Sequence, residues 1–323
     1  MKLLDNRRGV FYLIIAVLFV AVMLFVFLAY EQYSFSERQE VVETRLRTVN
    51  DFIKDIDSDS KRVIYISGFR ALIAIEDYVA SKGEYLNNTE EMFRIAFYNG
   101  TVNNTPVEIM ENATYSDYLE ELRLLADRIG LDITLNVTKI ELYQDSPWSV
   151  KVVATTSVNI TDQRGLAAWE FTKDYNTSVS LINIRDPIYS VFTHGRMPNT
   201  IRITNVTDYV DDATNDTREL RRHINNSFYT ENLLAPSYLM RIEGNFSSSP
   251  YGIESLVYIP ELINQDVNYS SAKSIVDYVL FSNITGYDEK ACDVQNMPSW
   301  FKFKIDLNHT SDYEVNDLNY TTC

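Results

Sequence analysis

Histidine is the side chain most often used for proton transfer near neutral pH, and this chain of 323 residues has three, His194, His223 and His309. They lie far apart in the sequence. The sequence contains no zinc-protease H-E-x-x-H motif, no G-x-S-x-G nucleophile motif and no phosphate-binding loop among its ten glycines. An isolated histidine in a loop is ordinarily a solvated side chain. We therefore predict no catalytic residue, no cofactor site and no enzymatic activity.

Two groups of residues carry the oxygen ligands that a calcium ion needs. Residues 55–59 read D-I-D-S-D, like the start of a calcium-binding loop, but Ser60 and Ile66 stand where that loop requires glycine and glutamate. The second group consists of Asp208, Asp211, Asp212, Asn215 and Asp216. An exposed helix face explains the first group better, and a loop followed by a helix cap explains the second better. We predict no metal site, with a structural calcium ion at the second group as the alternative.

The two cysteines are Cys292 and Cys323. In an oxidising compartment such a pair most simply forms one disulfide, which would hold the C-terminal segment. Loop closure would then stabilise the fold by about 3 kcal/mol. The alternatives are two free thiols, or a partner for Cys323 that lies outside this sequence.

Sites for N-linked glycosylation are the most frequent motif in the chain. A composition this rich in Asn, Ser and Thr gives about four N-x-[ST] motifs by chance. The sequence has them at Asn87, Asn99, Asn103, Asn112, Asn136, Asn159, Asn176, Asn205, Asn215, Asn225, Asn245, Asn268, Asn283, Asn308 and Asn319. The alternative is that loops rich in asparagine generate such motifs without modification. Because glycans are bulky, we expect these asparagines to face solvent.

Residues 10–29 form an uninterrupted apolar run, and at 1.5 Å per residue a helix of this length covers about 30 Å, one hydrocarbon core. Lys2, Arg7 and Arg8 precede the run and acidic residues follow it, which predicts a cytoplasmic N-terminus. A cleaved signal usually has a shorter apolar stretch and small residues at its end, whereas residues 27–31 read F-L-A-Y-E. We therefore predict a single-pass anchor in the cell membrane, with the lipid bilayer as partner and an extracellular C-terminal head.

The net charge is −16 and the isoelectric point is about 4.6. Phosphate backbones are bound by clustered lysine and arginine, which the part after the apolar run lacks. The composition therefore excludes nucleic acid as a partner.

A heptad-like stripe follows the apolar run and predicts an amphipathic stalk helix over residues 31–82. Its members are Val42, Leu46, Val49, Ile53, Ile56, Ser60 and Val63. Gly83 is a suitable end of the helix. One rod and a break at residues 57–60 are both compatible with the pattern. The apolar surface of residues 61–80 requires a cover, either the chain's own sheet or a neighbouring copy.

The next segment predicts a helix-plus-meander unit. Short helical spacing covers residues 89–98, and residues 115–129 form an amphipathic helix with Leu119, Leu122, Leu125, Ala126 and Ile129 on one stripe. Alternating residues predict strands over 131–142, 148–160 and 167–184, joined by turns into an antiparallel meander. The same alternation places Asn136, Asn159 and Asn176 on the polar faces of these strands.

Residues 190–323 have weaker patterns. We expect a helix from Asp216 with Glu219 as its capping-box partner, strands over 238–244 and 255–259, and either structure over 271–281. The predicted fold class is α+β. The predicted division is a leader (1–9), a transmembrane helix (10–30), a stalk (31–82), a first α+β domain (83–189) and a second (190–323).

Arg7-Arg8-Gly9, directly followed by an apolar helix and a heptad-like extension, resembles the class III signal of archaeal type IV pilin-like proteins. The resemblance implies cleavage between Gly9 and Val10 by a dedicated peptidase. Many pilins have glutamate at the fifth mature position, where this chain has Ile14. The whole chain, including residues 64–70, also resembles uncharacterised archaeal single-pass surface glycoproteins.

Two functions fit these observations. The first is a membrane-anchored, N-glycosylated structural protein that associates with copies of itself through the N-terminal helix, as a pilin-like filament subunit does. The alternative is a tethered adhesin or receptor whose glycosylated head binds a protein or carbohydrate.

Overall fold

The computed structural model describes residues 7–211, 213–282, 291–316 and 321–322. The described chain is α+β, with an apolar N-terminal helix and antiparallel sheets. Its first elements are α1 (Arg7–Lys82), α2 (Thr89–Asn99), β1 (Thr101–Val102), β2 (Thr105–Pro106), a 3-10 helix (Glu108–Met110), α3 (Tyr115–Arg128), β3 (Leu131–Ser146), β4 (Ser149–Asp162) and β5 (Ala168–Ser180).

Helix α1 is one rod of 76 residues, about 110 Å long at 1.5 Å per residue. There is no break at residues 57–60, because the polar side chains there have partners on neighbouring elements. The Ser60 hydroxyl lies 3.1 Å from the Tyr118 hydroxyl, and Lys173 Nζ donates to Asp57 at 2.6 Å. The helix ends as predicted at Gly83, which has φ of +66° and donates its N–H to the Val79 carbonyl.

The C-terminal half of α1 packs on the chain's own sheet. Of the two covers considered for its apolar surface, the structure therefore shows the chain's own sheet and not a neighbouring copy. Residues buried there include Val49, Ile56, Ile64, Leu72, Ile75 and Val79. At Gly68 the helix approaches the sheet most tightly, since a Cβ atom there would lie 3.2 Å from Val152 Cγ2. Among the described residues, the apolar stretch Val10–Gln32 has no such cover. Val10–Gln32 is long and apolar enough to cross a membrane, and no residue of this window is buried.

Helix α3 begins with a capping box formed by Thr114 and Asp117. Its buried stripe consists of Tyr115, Tyr118, Leu119, Leu122 and Ala126. Leu125 was assigned to this stripe wrongly, because its side chain is 41% exposed. Two tyrosines close to the capped end, Tyr115 and Tyr118, extend the buried stripe toward the N-terminus.

The predicted meander is confirmed as an antiparallel sheet in the order β3-β4-β5. The inner face of β4 is fully buried at Val150, Val152, Ala154, Val158 and Ile160. β3 runs four residues further than predicted, because the Ser146 and Ser149 hydroxyls pair at 2.7 Å and extend the hairpin to Ser146. β5 ends earlier, at Ser180, where the chain turns away and Leu181 donates its N–H to the Trp148 carbonyl.

The chain after residue 186 folds into short elements. These are α4 (Pro187–Phe192), α5 (Arg218–Asn225), β6 (Tyr229–Glu231), α6 (Tyr238–Ile242), β7 (Ile253–Ser255), α7 (Ile259–Asn264), α8 (Asp277–Leu280), β8 (Ala291–Val294), β9 (Lys304–Asp306) and β10 (Thr321–Thr322). β6 pairs with β7, and β8 lies between β9 and β10.

Several predictions for this part were wrong. Residues 238–242 form a helix instead of a strand, since Tyr238, Arg241 and Ile242 are buried together at helical spacing. The strand predicted over 255–259 is β7, which ends at Ser255, and Pro260 favours the start of α7.

Helix α5 begins at Arg218, two residues later than predicted, and no side chain caps it. The Asp216 carboxylate instead accepts the Arg218 N–H at 3.0 Å. The predicted capping box with Glu219 is therefore not formed. The ambiguous segment 271–281 contains the short helix α8.

The described residues form two hydrophobic cores, and helix α6 contributes to the first of them although it lies in the later part of the chain. The first contains α1, α2, α3 and the large sheet, and Tyr238 and Ile242 of α6 belong to it. The second lies among residues 188–315. Backbone contacts join the two parts, because the Leu86 N–H donates to the Ile242 carbonyl at 3.0 Å. We call residues 49–184 the first region and residues 186–316 the second region.

Candidate functional site

The structure separates the three histidines and contradicts the expectation that they are solvated. His194 is exposed, but His223 and His309 are fully buried in the second region. Burial alone lowers the pKa of His223 to about 4, so its ring is neutral near pH 7. His223 Nδ1 lies 3.0 Å from the Thr204 hydroxyl.

His309 is held between carboxylates. Its Nδ1 lies 2.7 Å from Asp306 Oδ1, and its Nε2 lies 3.2 Å from Glu254 Oε2 and 2.9 Å from the Tyr278 hydroxyl. Burial disfavours the charged ring, but the hydrogen bond to Asp306 and the nearby Glu254 carboxylate outweigh it and raise the pKa of His309 to about 10. The side chains of all three ionisable residues are at most 1% exposed. A protonated, enclosed histidine of this kind stabilises the fold and has no open position for a substrate.

A second charged cluster surrounds Arg241, which is completely buried. Its guanidinium donates to Asp186 at 2.6 Å, to Asp277 and, at 2.8 Å, to the Ile253 carbonyl. Burial raises the pKa of Asp277 to about 6, although Arg241 acts to lower it. The cluster connects the segment before α4 to α6, β7 and α8. Sequence reasoning missed it; the only signal was a single arginine between apolar residues in Y-L-M-R-I.

Glu76 joins α1 to the second region. Its carboxylate accepts the Ser190 hydroxyl of α4 at 3.1 Å and lies 3.6 Å from Arg185. Burial raises the pKa of Glu76 to about 7, and Arg185 opposes this increase. The side chain is enclosed and meets no cleft, so we assign it to the junction and not to chemistry.

The two acidic groups lie in different surroundings. Residues 55–59 lie on α1. Asp208, Asp211 and Asp216 line a cavity of about 610 Å³ together with Arg218 and Glu219. Asp211 accepts from the Ala213 N–H and the Thr214 hydroxyl, and Asp216 pairs with Arg218, so both carboxylates have protein partners.

Asn215 is exposed at φ of +51°, and Asp212 lies outside the described residues. Among the described residues, no three His, Cys, Asp or Glu side chains are grouped so that they could hold a metal ion.

An apolar cavity of about 170 Å³ lies in the second region. Trp300 and Ile263 form part of its lining and are 66% and 58% exposed. Phe301, Phe303 and Tyr269 contribute further ring surface. An exposed tryptophan beside an apolar cavity is a surface that a ring or chain of another molecule can contact.

The glycosylation motifs share one structural property. All thirteen of their asparagines within the described residues are exposed, while Asn283 and Asn319 lie outside the described residues. Of the other asparagines, Asn199 is buried and Asn226 and Asn232 are half-buried, while further ones such as Asn183 are exposed as well. The positions therefore meet the expectation of solvent-facing sites, and their modification stays a prediction.

The structure describes only one of the two cysteines of the predicted disulfide. Cys292 is buried on β8, and Cys323 lies outside the described residues. Thr321 pairs with Val294 and Thr322 with Asp293, so this register steps toward Cys292. The disulfide stays a prediction that this register favours.

Arg45 marks the place where α1 leaves the folded part of the chain. Its guanidinium donates to Asp162 at 2.5 Å and to the Gly130 carbonyl at 2.7 Å. The hydrogen bond from Arg45 lowers the pKa of Asp162. Towards the N-terminus from this contact, Val42 is 36% exposed, and Gly9 and Val10 lie in the first turns of the helix. No sequence pattern indicates this pair, because its partners are 117 residues apart.

Comparison of the chain with protein-family models, with curated proteins and with solved structures finds no match.

Proposed function

We propose that this chain is a membrane-anchored surface protein with an outward-facing, N-glycosylated head, and that copies of it associate through the N-terminal half of α1 as structural subunits. The observation that carries the proposal is the contrast along one continuous helix. Residues from Val49 onward pack on the sheet, whereas no residue of the Val10–Gln32 window is buried and Val42 and Leu46 are 36% and 39% exposed. Apolar surface on this scale requires lipid or other copies of the helix.

The heptad-like stripe supports self-association above the bilayer. Val42 and Leu46 continue the line of Val49 and Ile56, which the sheet buries. Anchored copies are parallel and lie at the same depth, so the same residues of two chains meet at the same height. The exposed asparagines support an outward orientation, because N-glycans are added on the outer side of the membrane.

Mass spectrometry of the N-terminus tests the pilin-like form of the proposal. Protein isolated from the native surface fraction should begin at Val10, because a filament subunit must lose its basic leader to leave the bilayer. The variant Gly9→Leu should retain Met1, and the control Ile14→Leu should be processed normally. An intact Met1 in the parent protein, or unchanged surface assembly of Gly9→Leu, would remove the filament subunit from consideration.

Self-association is tested separately by cross-linking in membranes. The double variant Val42→Glu/Leu46→Glu places four carboxylates side by side in a pair of helices and should reduce cross-linked species at least fivefold. Arg47→Glu, on an exposed side chain of the same turn, is the charge-matched control. Equal cross-linking of all three proteins would show that this stripe has no part in association.

A second function, a tethered binding protein, is favoured by one observation, the apolar cavity beside Trp300. Stacking on an exposed tryptophan is a common way to hold a sugar ring. A panel of oligosaccharides should then quench the fluorescence of the parent protein and leave Trp300→Ala unaffected. If no oligosaccharide of the panel quenches the fluorescence of the parent protein, the proposed binding function has no support.

A further inference from the structure

We propose that the outer face of the β3-β4-β5 sheet is covered by three N-linked glycans, one on each strand, at Asn136, Asn159 and Asn176. This inference rests on the outward orientation proposed above. It adds that the glycans at three of the predicted sites cover one face of the sheet. The glycans take the position that a second protein layer occupies in a sandwich.

The sheet has two different faces. Its inner face is buried against the helices, as Val152, Ala154 and Val158 show. Residues of the outer face alternate with these and are exposed or half-buried. All three asparagines lie on the outer face and are exposed.

The complete motif is presented at each site, not the asparagine alone. Residues i and i+2 of a strand point to the same side, so the acceptor asparagine and the hydroxyl residue of N-x-[ST] face outward together. Thr161 and Ser178 are exposed on β4 and β5. On β3, Thr138 lies at a bulge between Val137 and Lys139 and is exposed too.

Local structure does not explain these three motifs. Asparagine is favoured in turns, so loop motifs such as those at Asn103 and Asn112, both at positive φ, arise without selection for a glycan. Asparagine is disfavoured in strands, and here it stands inside three consecutive strands. Backbone preference therefore does not account for asparagine at these three positions. The N-x-[ST] motif points instead to a site that accepts a glycan.

The register spreads the three sites over the face. Asn136 is opposite Ser157 and Asn176 is opposite Val153. With strands 4.8 Å apart and 3.3 Å per residue, Asn159 lies about 8 Å from Asn136 and about 20 Å from Asn176. The surface between them is formed by small hydroxyl residues and by the Lys139–Glu141 ion pair. Described protein does not pack on this surface, so the space for sugar is open.

Glycopeptide mapping of the full chain from its native membrane tests the inference. Peptides with Asn136, Asn159 and Asn176 should each carry a glycan, and Asn183, exposed but outside any motif, should carry none. Unmodified strand sites beside modified loop sites would overturn this inference alone. A chain without any glycan would overturn the proposed outward orientation as well.

Lysine labelling tests the covering itself. Lys139 and Lys151 lie on the outer face, whereas Lys61 is exposed on α1. In the triple variant N136Q/N159Q/N176Q, a bulky amine reagent should label Lys139 and Lys151 at least threefold faster than in the parent, with Lys61 unchanged. If the variant misfolds, enzymatic removal of the glycans from the folded parent gives the same comparison. Equal rates in both would show that the face is bare.

Discussion

The first and second regions are stabilised by different kinds of core. In the first region, long elements bury aliphatic and aromatic side chains between α1, α3 and the sheet. In the second region, short elements enclose charges. Of nine buried Asp, Glu, His and Arg side chains in the described structure, seven belong to the second region, and only Glu76 and Asp162 belong to the first.

The difference shows how each region sets its conformation. A periodic apolar face is satisfied by any close-packed partner of about the right shape. A buried charge is satisfied only by a particular partner at hydrogen-bond distance, so Arg241 and His309 determine which loops come together. The second region therefore gains a specific arrangement and becomes sensitive to the loss of single atoms and to pH.

Removing the charge of Arg241 should have the largest effect. The variant Arg241→Met leaves the Asp186 and Asp277 carboxylates buried without a cation, which we expect to lower the free energy of unfolding by about 3–5 kcal/mol. Urea unfolding of the full chain in detergent measures this. Arg47→Met, on an exposed side chain, is the control. A loss under about 1 kcal/mol would mean that the charges are solvated, and the contrast between the regions would fail.

Truncation in the apolar core should have the next largest effect. Leu72 of α1 is fully buried, and Leu72→Ala should destabilise the protein by about 3 kcal/mol through lost contacts and a cavity. Hydrogen exchange should increase in the first region and much less in the second. Equal increases in both would show that the regions unfold as one cooperative unit through α6.

The His309 cluster should make stability depend on pH. The pKa of His309 is about 10 in the folded protein and about 6.5 when unfolded, so the folded state holds one more proton between these values. Its stabilisation is therefore complete below about pH 6.5 and is lost as the pH rises to about 10. Urea midpoints above about pH 7 avoid the window in which Glu76 titrates.

His309→Gln is the matched variant for this pH dependence. It should be less stable than the parent at pH 7, and its midpoint should vary less over the same range. A parent midpoint that stays constant up to pH 10 would contradict the charged state assigned to His309.

We expect the smallest effect on the free energy of unfolding for a substitution before Val49, where α1 does not pack on the sheet. Leu46→Glu should change the free energy of unfolding by less than about 0.5 kcal/mol, because the side chain is already partly solvated. Val49→Glu, three residues further, should be severely destabilising, because that position is completely buried. Similar losses at both positions would place the boundary of the folded region earlier on α1.

Predictions from the sequence agree with the structure better in the first region than in the second. The apolar stripe of α1, the end at Gly83 and the three strands of the sheet were predicted because each lies in a long segment with a clear period. Leu125 was misplaced because the buried stripe runs through Leu122 and Ala126, and Leu125 lies at its edge, where it stays exposed. In the second region, α6 is five residues long, too short for its period to distinguish a helix from a strand.

The sequence by itself determined the apolar run at the N-terminus, the apolar stripe of α1, the meander and the outward faces of Asn136, Asn159 and Asn176, because periodicity of side chains is a local property of the chain. Only the tertiary structure decided that the chain's own sheet covers α1 from Val49 onward. It also decided that Arg241 and His309 are buried among carboxylates. These contacts join residues far apart in sequence, and their energy depends on distances that no local pattern encodes.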